Sequence, residues 1–203
     1  MKQTIIKLPP PQLKGKMSLE EAIAKRRSIR KYCSESLTLS QLSQILWSAQ
    51  GITGAGRLRA APSAGATYPL EIFAFVGKQA IEGLQAGIYH YDVDSHSLVL
   101  HQPGDLRRGL AGVALDQGFI ANAPVDIIIC ALYSRTSYTY GRRGERYVHM
   151  EVGHVGENIH LQAVALGLAT VEVGAFDDEA VRKVLGVEEQ IKPLYIMPIG
   201  KPL

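Results

Sequence analysis

Residues 146–168, RYVHMEVGHVGENIHLQAVALGL, decide the fold of the chain, because no other stretch keeps one hydrophobic period for so long. Its apolar positions recur at three- and four-residue steps: Val148, Val152, Val155, Ile159, Ala163 and Leu166. This spacing places the apolar side chains on one face of a helix. We therefore predict a long helix at the centre of the fold, with that face buried.

Stretches typical of β-strands lie on both sides of this helix. Leu70–Val76 and Val125–Leu132 are apolar runs rich in β-branched or aromatic residues, and residues 88–93 and 98–101 resemble a hairpin. A last strand is predicted at residues 194–199. Because helices and strands do not alternate regularly, the sequence predicts an α+β fold rather than a doubly wound parallel sheet.

The chain is predicted to form one domain preceded by an arm. Leu8-Pro9-Pro10-Pro11 favours a stiff extended chain, so residues 1–17 are predicted to be an extended N-terminal arm. Ser18 with Glu21, and Thr38 with Gln41, match the capping box that begins a helix. No internal repeat or break in composition follows, and residues 18–203 are predicted to be a single domain.

Composition and charge exclude several classes of protein. The net charge of +3 over 203 residues is small and evenly spread, which does not favour binding to nucleic acid or to a membrane. Cys33 and Cys130 are far apart and have no CxxC neighbourhood, so we expect neither a disulfide framework nor a zinc site. We expect a protein of the reducing cytoplasm.

Three arginines and a serine form the first candidate binding motif. Arg26, Arg27, Ser28 and Arg30 stand at the predicted end of the first helix. Guanidinium groups with a nearby hydroxyl can hold a phosphate by bidentate hydrogen bonds. A solvated helix end, favoured by the helix dipole, explains the same residues equally well.

Two further segments expose backbone to a ligand. The first is a run of small residues, Pro62, Ser63, Ala64, Gly65 and Ala66. Such a run lets backbone amides approach a flat ring or a phosphate, although a plain connecting loop has the same composition. The second, Gly174-Ala175, precedes a predicted helix and would present free N–H groups to a ligand. A purely structural helix cap explains the same residues equally well.

The long helix contains two Glu-x-x-His pairs that resemble metal ligands. They are Glu151 with His154 and Glu157 with His160. In carboxylate-bridged metal sites such pairs lie on facing helices, whereas here one helix carries both. We therefore predict no metal site.

In this order the motifs resemble those of the nitroreductase superfamily. The resemblance runs from about Leu8 to Lys201, and it includes the late Gly200-Lys201. Leu46-Trp47-Ser48-Ala49-Gln50-Gly51 and Tyr68-Pro69-Leu70-Glu71 are most similar to the SagB/thiazole-oxidase (ThcOx) branch of FMN-dependent dehydrogenases. The resemblance implies a nitroreductase-like fold, a mainly antiparallel sheet flanked by helices, in a homodimer with FMN at the interface.

The resemblance also implies a role for each motif. Arg26, Arg27, Ser28 and Lys201 would meet the phosphate and ribityl end of FMN, and Arg30 would lie by the pyrimidine edge of the flavin ring. Pro62, Ser63, Ala64, Gly65 and Ala66 would reach the ring from the partner subunit. Gly174 and Ala175 would offer an N–H to flavin N5.

The sequence departs from the family pattern at two positions. Nitroreductases commonly carry Asn where Ala66 stands, so a hydrogen bond to flavin is lost unless Gln50 or a backbone group replaces it. Azole-forming thiazole oxidases carry a Lys-Tyr pair ahead of the long helix, and here the nearest match is Thr139-Tyr140. Tyr140, in a predicted loop, is the candidate catalytic residue as a proton donor, and packing alone is the alternative.

The predicted function is that of an FMN-dependent oxidoreductase. It would move a hydride or electrons between reduced nicotinamide, NAD(P)H, or an organic donor and a small-molecule acceptor in a ping-pong cycle. One alternative is a SagB-type dehydrogenase that oxidises azolines in a modified peptide. The other is a flavin-binding module without turnover.

Overall fold

The centre of the structure is a six-stranded sheet in which every neighbouring pair of strands is antiparallel. The structure is a computed structural model, and it describes residues 4–203. The strand order is β1-β4-β3-β2-β5-β6. The strands are β1 (Ile5–Lys7), β2 (Leu70–Val76), β3 (Gly87–Asp92), β4 (Ser97–Pro103), β5 (Val125–Leu132) and β6 (Ile191–Ile199).

Helices cover both faces of this sheet. They are α1 (Leu19–Lys25), α2 (Leu39–Gln50), α3 (Arg107–Val113), α4 (Gly118–Asn122), α5 (Ser134–Tyr140), α6 (Arg143–Ala165) and α7 (Asp178–Leu185). Two short 3-10 turns, Ala55–Arg57 and Ala64–Ala66, interrupt the long connection between α2 and β2. The α+β class predicted from the sequence is confirmed.

Strand β5 shows why its sequence is an almost uninterrupted apolar run. Val125, Ile127 and Ile129 belong to the core cluster that contains residues of α2 and α6. Ile128 and Cys130 point to the other face, into a cluster with residues of α3, α4 and α7. A strand with helices on both sides buries all its side chains, so alternation of polar and apolar residues disappears.

The capping signals of the first two helices are also confirmed. Ser18 Oγ accepts a hydrogen bond from the N–H of Glu21 at the start of α1. Thr38 and Gln41 form a complete capping box at the start of α2. Gly51 ends α2 in an extended conformation, and a Cβ there would lie 2.1 Å from Trp47 Cδ1, so only glycine fits.

Several sequence-based expectations need correction. Helix α1 ends at Lys25, and residues 26–30 are not helical. Arg26 and Arg30 therefore do not lie on one face of a helix. Tyr140 ends α5 rather than lying in a loop, because Ser134–Tyr140 is helical although it lacks apolar periodicity. Neither α5 nor the short α4 was predicted.

The predicted arm takes part in the sheet. Its first three residues lie outside the described residues, and β1, within the arm, pairs antiparallel with β4. Leu8 is buried and the Pro9 carbonyl accepts a hydrogen bond from Ser43 Oγ. Within residues 4–203, no helix is both long and apolar enough to cross a membrane.

Candidate flavin site

The Arg26–Arg30 segment is held in place by backbone pairing on both sides. The N–H of Ile29 donates to the Thr170 carbonyl at 3.0 Å, in the chain that follows α6. The N–H of Cys33 donates to the Lys201 carbonyl at 2.9 Å. The structure therefore brings the first motif and Lys201 to the same side of the fold, where Arg27, Ser28 and Arg30 are exposed. We call the surface formed by Arg26, Arg27, Ser28 and Arg30 the arginine edge.

The three arginines at this edge keep their charge unneutralised. Across residues 4–203, none of Arg26, Arg27 and Arg30 forms a salt bridge with a carboxylate. Arg27 donates only to main-chain carbonyls, and the Arg30 guanidinium lies 5.9 Å from the centre of the Phe119 ring. Lys201 differs, because its Nζ is paired with Glu35. Unpaired guanidinium groups are suited to an anionic ligand.

A buried histidine supports this segment from below. His160 of α6 is 1% exposed, and its Nε2 lies 3.1 Å from the Arg27 carbonyl. Its Nδ1 lies 2.9 Å from Glu172 Oε1. Burial tends to lower the pKa of His160, but hydrogen bonds to Glu172 and to the Arg27 carbonyl outweigh it and raise the pKa. Burial acts to raise the pKa of Glu172, but His160, a backbone hydrogen bond and the charge of Arg26 together outweigh it, and the pKa is lowered.

Gly174 and Ala175 present unused backbone donors. Both are exposed, and within the described chain neither N–H donates a hydrogen bond. Gln117 Nε2 fixes the loop by donating to the Ala175 carbonyl at 2.9 Å. Gly174 follows Thr170 by four residues, so it lies no more than about 14 Å from the segment that pairs with Ile29.

The loop Pro62–Ala66 is tightly bent. Ser63 Oγ accepts a hydrogen bond from the N–H of Tyr68 at 2.9 Å. Gly65, Ala66 and Tyr68 have positive φ angles of 59°, 52° and 45°. Such angles are unfavourable for residues with a Cβ, and strain of this kind clusters at functional sites. Pro62, Gly65 and Ala66 are exposed.

The structure brings Tyr140 to this loop. A Cβ built on Gly65 would lie 2.6 Å from the Tyr140 hydroxyl oxygen, so the hydroxyl is in direct contact with the bend. The ring stacks edge-on against Tyr147 of α6 at 5.1 Å between centroids. The candidate catalytic residue and the candidate ring-binding loop therefore belong to one cluster.

A buried polar cluster beneath the loop was missed by sequence reasoning. Glu151 of α6 is 2% exposed and its Oε1 has no hydrogen-bond partner in the described chain, and burial raises its pKa although Ser63 and Gln50 act in the opposite direction. Gln50 is fully buried, its Oε1 accepts from Arg59 at 2.8 Å, and its Nε2 has no hydrogen-bond partner in the described chain. The signal available was a carboxylate on the apolar face of α6, next to Val148 and Val152.

The two groups of predicted residues do not meet within one chain. Glu151, under the loop, and His160, under the arginine edge, are nine residues apart on α6, which is about 14 Å along the helix axis. A polar cavity of about 390 Å³ is lined by Tyr68, Arg59 and Arg135 among others, but by none of the predicted cofactor residues.

The Glu-x-x-His pairs do not form one joint site. Glu151 and His160 are buried, whereas His154 and Glu157 are exposed. Glu157 and His160 do approach Glu172, with their ligand atoms within 4.8 Å of one another. That grouping, across the turn after α6, was not predicted.

The family follows from comparison with known sequences. The sequence model of the nitroreductase family matches residues 23–201, which include every predicted cofactor-binding residue. The chain belongs to the nitroreductase family. Proteins of this family are generally oxidoreductases.

Similar proteins include nitroreductases and a protein that processes a microcin. A provisionally named nitroreductase of Methanocaldococcus jannaschii is 48% identical over 187 residues, covering 92% of each chain. The microcin B17-processing protein McbC of Escherichia coli is 27% identical, and the alignment covers 83% of this chain and 64% of McbC. A crystal structure from Ralstonia eutropha, also provisionally named a nitroreductase, superposes with a TM-score of 0.85 at 28% identity and covers 98% and 90% of the two chains. The predicted nitroreductase-like fold is thereby confirmed.

Proposed function

We propose that this nitroreductase-family protein is an FMN-dependent oxidoreductase that works as a homodimer. In this proposal NAD(P)H or an organic donor supplies a hydride or electrons, and a small-molecule acceptor removes them in a ping-pong cycle. The observation that carries the proposal is the edge with three arginines that form no salt bridge within residues 4–203, on a fold whose Gly174 and Ala175 amides donate no hydrogen bond there. Bound FMN would supply the redox chemistry itself.

The arginine edge fits the phosphate of FMN. A phosphate monoester carries up to two negative charges, and guanidinium groups bind its oxygens in bidentate fashion. Arg26 and Arg27 would bind the phosphate, with Ser28 as an additional donor. Lys201 would join them only by exchanging its partner Glu35 for the phosphate.

The remaining groups fit the flavin ring. Arg30 would place a fixed cation at the pyrimidine edge, where it stabilises negative charge gained on reduction. An N–H of Gly174 or Ala175 would donate to N5. These groups bind and orient the ring and need no side-chain nucleophile.

The second chain would complete each site with its loop Pro62–Ala66. The loop and the arginine edge are about 14 Å apart along α6 in one chain, so two copies would each contribute one half. Tyr140 accompanies the loop and would hold a proton at its hydroxyl for the acceptor.

Anaerobic titration tests this proposal most directly. Purified protein is loaded with FMN, its mass in solution is measured, and NADH or NADPH is added without oxygen. We expect a dimer that is yellow, is bleached by the donor and regains colour with a quinone or nitroaromatic acceptor. Failure to bind FMN would refute the proposal, and a bound flavin that no donor reduces would leave only the non-catalytic module.

Azoline oxidation in a peptide is the second candidate, since the chain resembles McbC over 83% of its length. The absence of a lysine at Thr139 counts against it. A synthetic azoline peptide distinguishes the two candidates: we expect no azole from the wild-type protein, and azole formation would reverse the order of the two functions.

A further inference from the structure

His160 occupies an unusual position among the histidines of the chain. It is 1% exposed, and each of its ring nitrogens faces one oxygen atom. Nε2 lies 3.1 Å from the Arg27 carbonyl and Nδ1 lies 2.9 Å from the Glu172 carboxylate. His154, one helical turn and a half earlier, is exposed.

The two partners of His160 determine its protonation. A backbone carbonyl can only accept, so Nε2 must carry a proton and donate to Arg27. An ionised carboxylate also only accepts, so Nδ1 must carry a proton and donate to Glu172. Neutral imidazole has one proton for two nitrogens, and both hydrogen bonds therefore require the imidazolium cation.

The charged groups around His160 come from three elements. Glu172, in the chain after α6, and Glu157, on α6 itself, offer carboxylates, and Arg26 at the end of α1 opposes the imidazolium charge. Burial and Arg26 act to lower the pKa of His160, but Glu172 and the hydrogen bond to the Arg27 carbonyl outweigh them, and the pKa is raised. His160 therefore keeps its positive charge to a higher pH than an ordinary histidine does.

We propose that the His160 imidazolium positions the Arg26–Ser28 backbone for the FMN phosphate, and that losing its Nε2 proton to solvent releases this segment and weakens FMN binding. The inference rests on the proposed function. Neutral His160 would keep the Nδ1 proton, because it is bonded to the Glu172 carboxylate. The Nε2 lone pair would then face the Arg27 carbonyl oxygen, and the hydrogen bond that holds this backbone would be lost. His160 is a positioning residue, because its polar contacts are with Glu172 and with the backbone carbonyl of Arg27.

The sign of the pH dependence follows from the raised pKa. The imidazolium contribution is fully present below the unfolded pKa of about 6.5 and is lost as pH rises through the higher folded pKa. Binding should therefore weaken above neutral pH. The second ionisation of a phosphate monoester, near pH 6, is complete by then and does not confuse the measurement.

The test is the affinity of the apoprotein for FMN, measured between about pH 7 and pH 9 by quenching of flavin fluorescence. We expect the wild-type dissociation constant to rise about tenfold over this range, as for the loss of one charge-assisted hydrogen bond. In Glu172→Gln the amide can donate to Nδ1 of neutral His160, so the geometry persists without the extra proton. Its affinity should be independent of pH.

Two further variants separate the role of His160 from that of other histidines. His154→Gln removes an exposed histidine of the same helix and should keep the wild-type pH profile. His160→Gln should bind FMN weakly at all pH values. Other groups that titrate in this range contribute alike to the wild type and to Glu172→Gln, so only the difference between their profiles is used.

Different failures have different meanings. If the wild type binds no FMN at any pH, the proposed function fails. If the wild type binds FMN with a flat profile, or if Glu172→Gln keeps the wild-type slope, the His160 inference is overturned. It is also overturned if the slope disappears when a chelator removes bound zinc, because Glu157, His160 and Glu172 would then be metal ligands.

Discussion

The arginine edge and the loop Pro62–Ala66 contrast in how they prepare for a ligand. At the edge, Arg26, Arg27 and Arg30 carry unneutralised charge on a backbone that is paired on both sides. The loop has no charge at all, and it holds Gly65 and Ala66 at positive φ. The edge offers charge on a relaxed backbone, and the loop offers close backbone approach at a cost in strain.

Helix α6 links the two regions, and it places a buried titratable side chain under each. Burial raises the pKa of Glu151 under the loop, so this carboxyl stays neutral to a higher pH than an exposed one. Glu172 raises the pKa of His160 under the edge and keeps that imidazole charged. The difference fits the proposed function, in which the edge would bind the phosphate of FMN and the loop its neutral ring.

Removing charge from the edge should have the largest effect. Arg26→Ala combined with Arg27→Ala should weaken FMN binding about a hundredfold, since each guanidinium makes a charge-assisted hydrogen bond to phosphate. Fluorescence titration at constant ionic strength measures it. Arg108→Ala, an exposed arginine of α3, is the control and should change affinity little. Equal losses in both variants would mean that only net charge matters.

Adding a methyl group between the loop and Tyr140 should have the second-largest effect. Gly65→Ala places a methyl group 2.6 Å from the Tyr140 hydroxyl at a φ of 59°, and it should cost about 1–3 kcal/mol of unfolding free energy. Gly56→Ala is the control, because its φ is 67° and nothing lies within 4 Å. Denaturant unfolding should show a larger loss for Gly65→Ala.

A double variant isolates the hydroxyl contact. Tyr140→Phe removes the oxygen and leaves ring carbons at 3.3 and 3.4 Å from the new methyl group. Gly65→Ala with Tyr140→Phe should therefore recover the part of the loss that exceeds the Gly56→Ala control. No recovery would show that the strain is in the backbone alone.

Neutralising Glu151 should have a moderate effect that depends on pH. A folded pKa above the unfolded value of about 4.5 means that the native state loses stability as pH rises from there. Glu151→Gln removes this loss and should raise the melting temperature by a few degrees at pH 8, with less gain at pH 5. Glu145→Gln, on the exposed side of α6, should show no such trend. A gain that is constant with pH would contradict a raised pKa.

The sequence predicted best those elements whose signals are local. The bounds of β2 and β5 agree with the predicted runs, because a buried strand requires consecutive apolar residues. Helix α2 was found from its capping box and apolar spacing. Helix α6 begins and ends three residues earlier than predicted, since helix ends depend on contacts with neighbouring elements.

The parts that were missed depend on contacts between distant residues. Helix α5 has no apolar period. Thr136 within it is buried, and its Oγ1 forms a hydrogen bond with Thr67 Oγ1 at 2.8 Å. His160 meets Glu172 only because the chain turns back after α6. The motifs of the candidate site were visible in the sequence, but their division into two regions was not, since it follows from which side of α6 each one packs against.

The smallest effect should come from relaxing the loop backbone. Ala66 has a φ of 52°, which glycine adopts without a Cβ penalty, so Ala66→Gly should raise the unfolding free energy by up to about 1 kcal/mol. Ala64 lies two residues earlier and has no positive φ, so Ala64→Gly should instead lower stability slightly. Thermal and denaturant unfolding measure both. If strain in the loop serves the close approach of a flavin ring, Ala66→Gly should also weaken FMN binding, because a more flexible loop loses more entropy when it is ordered. Unchanged stability in Ala66→Gly would show that the loop is relaxed, and the contrast between the two regions would then rest on charge alone.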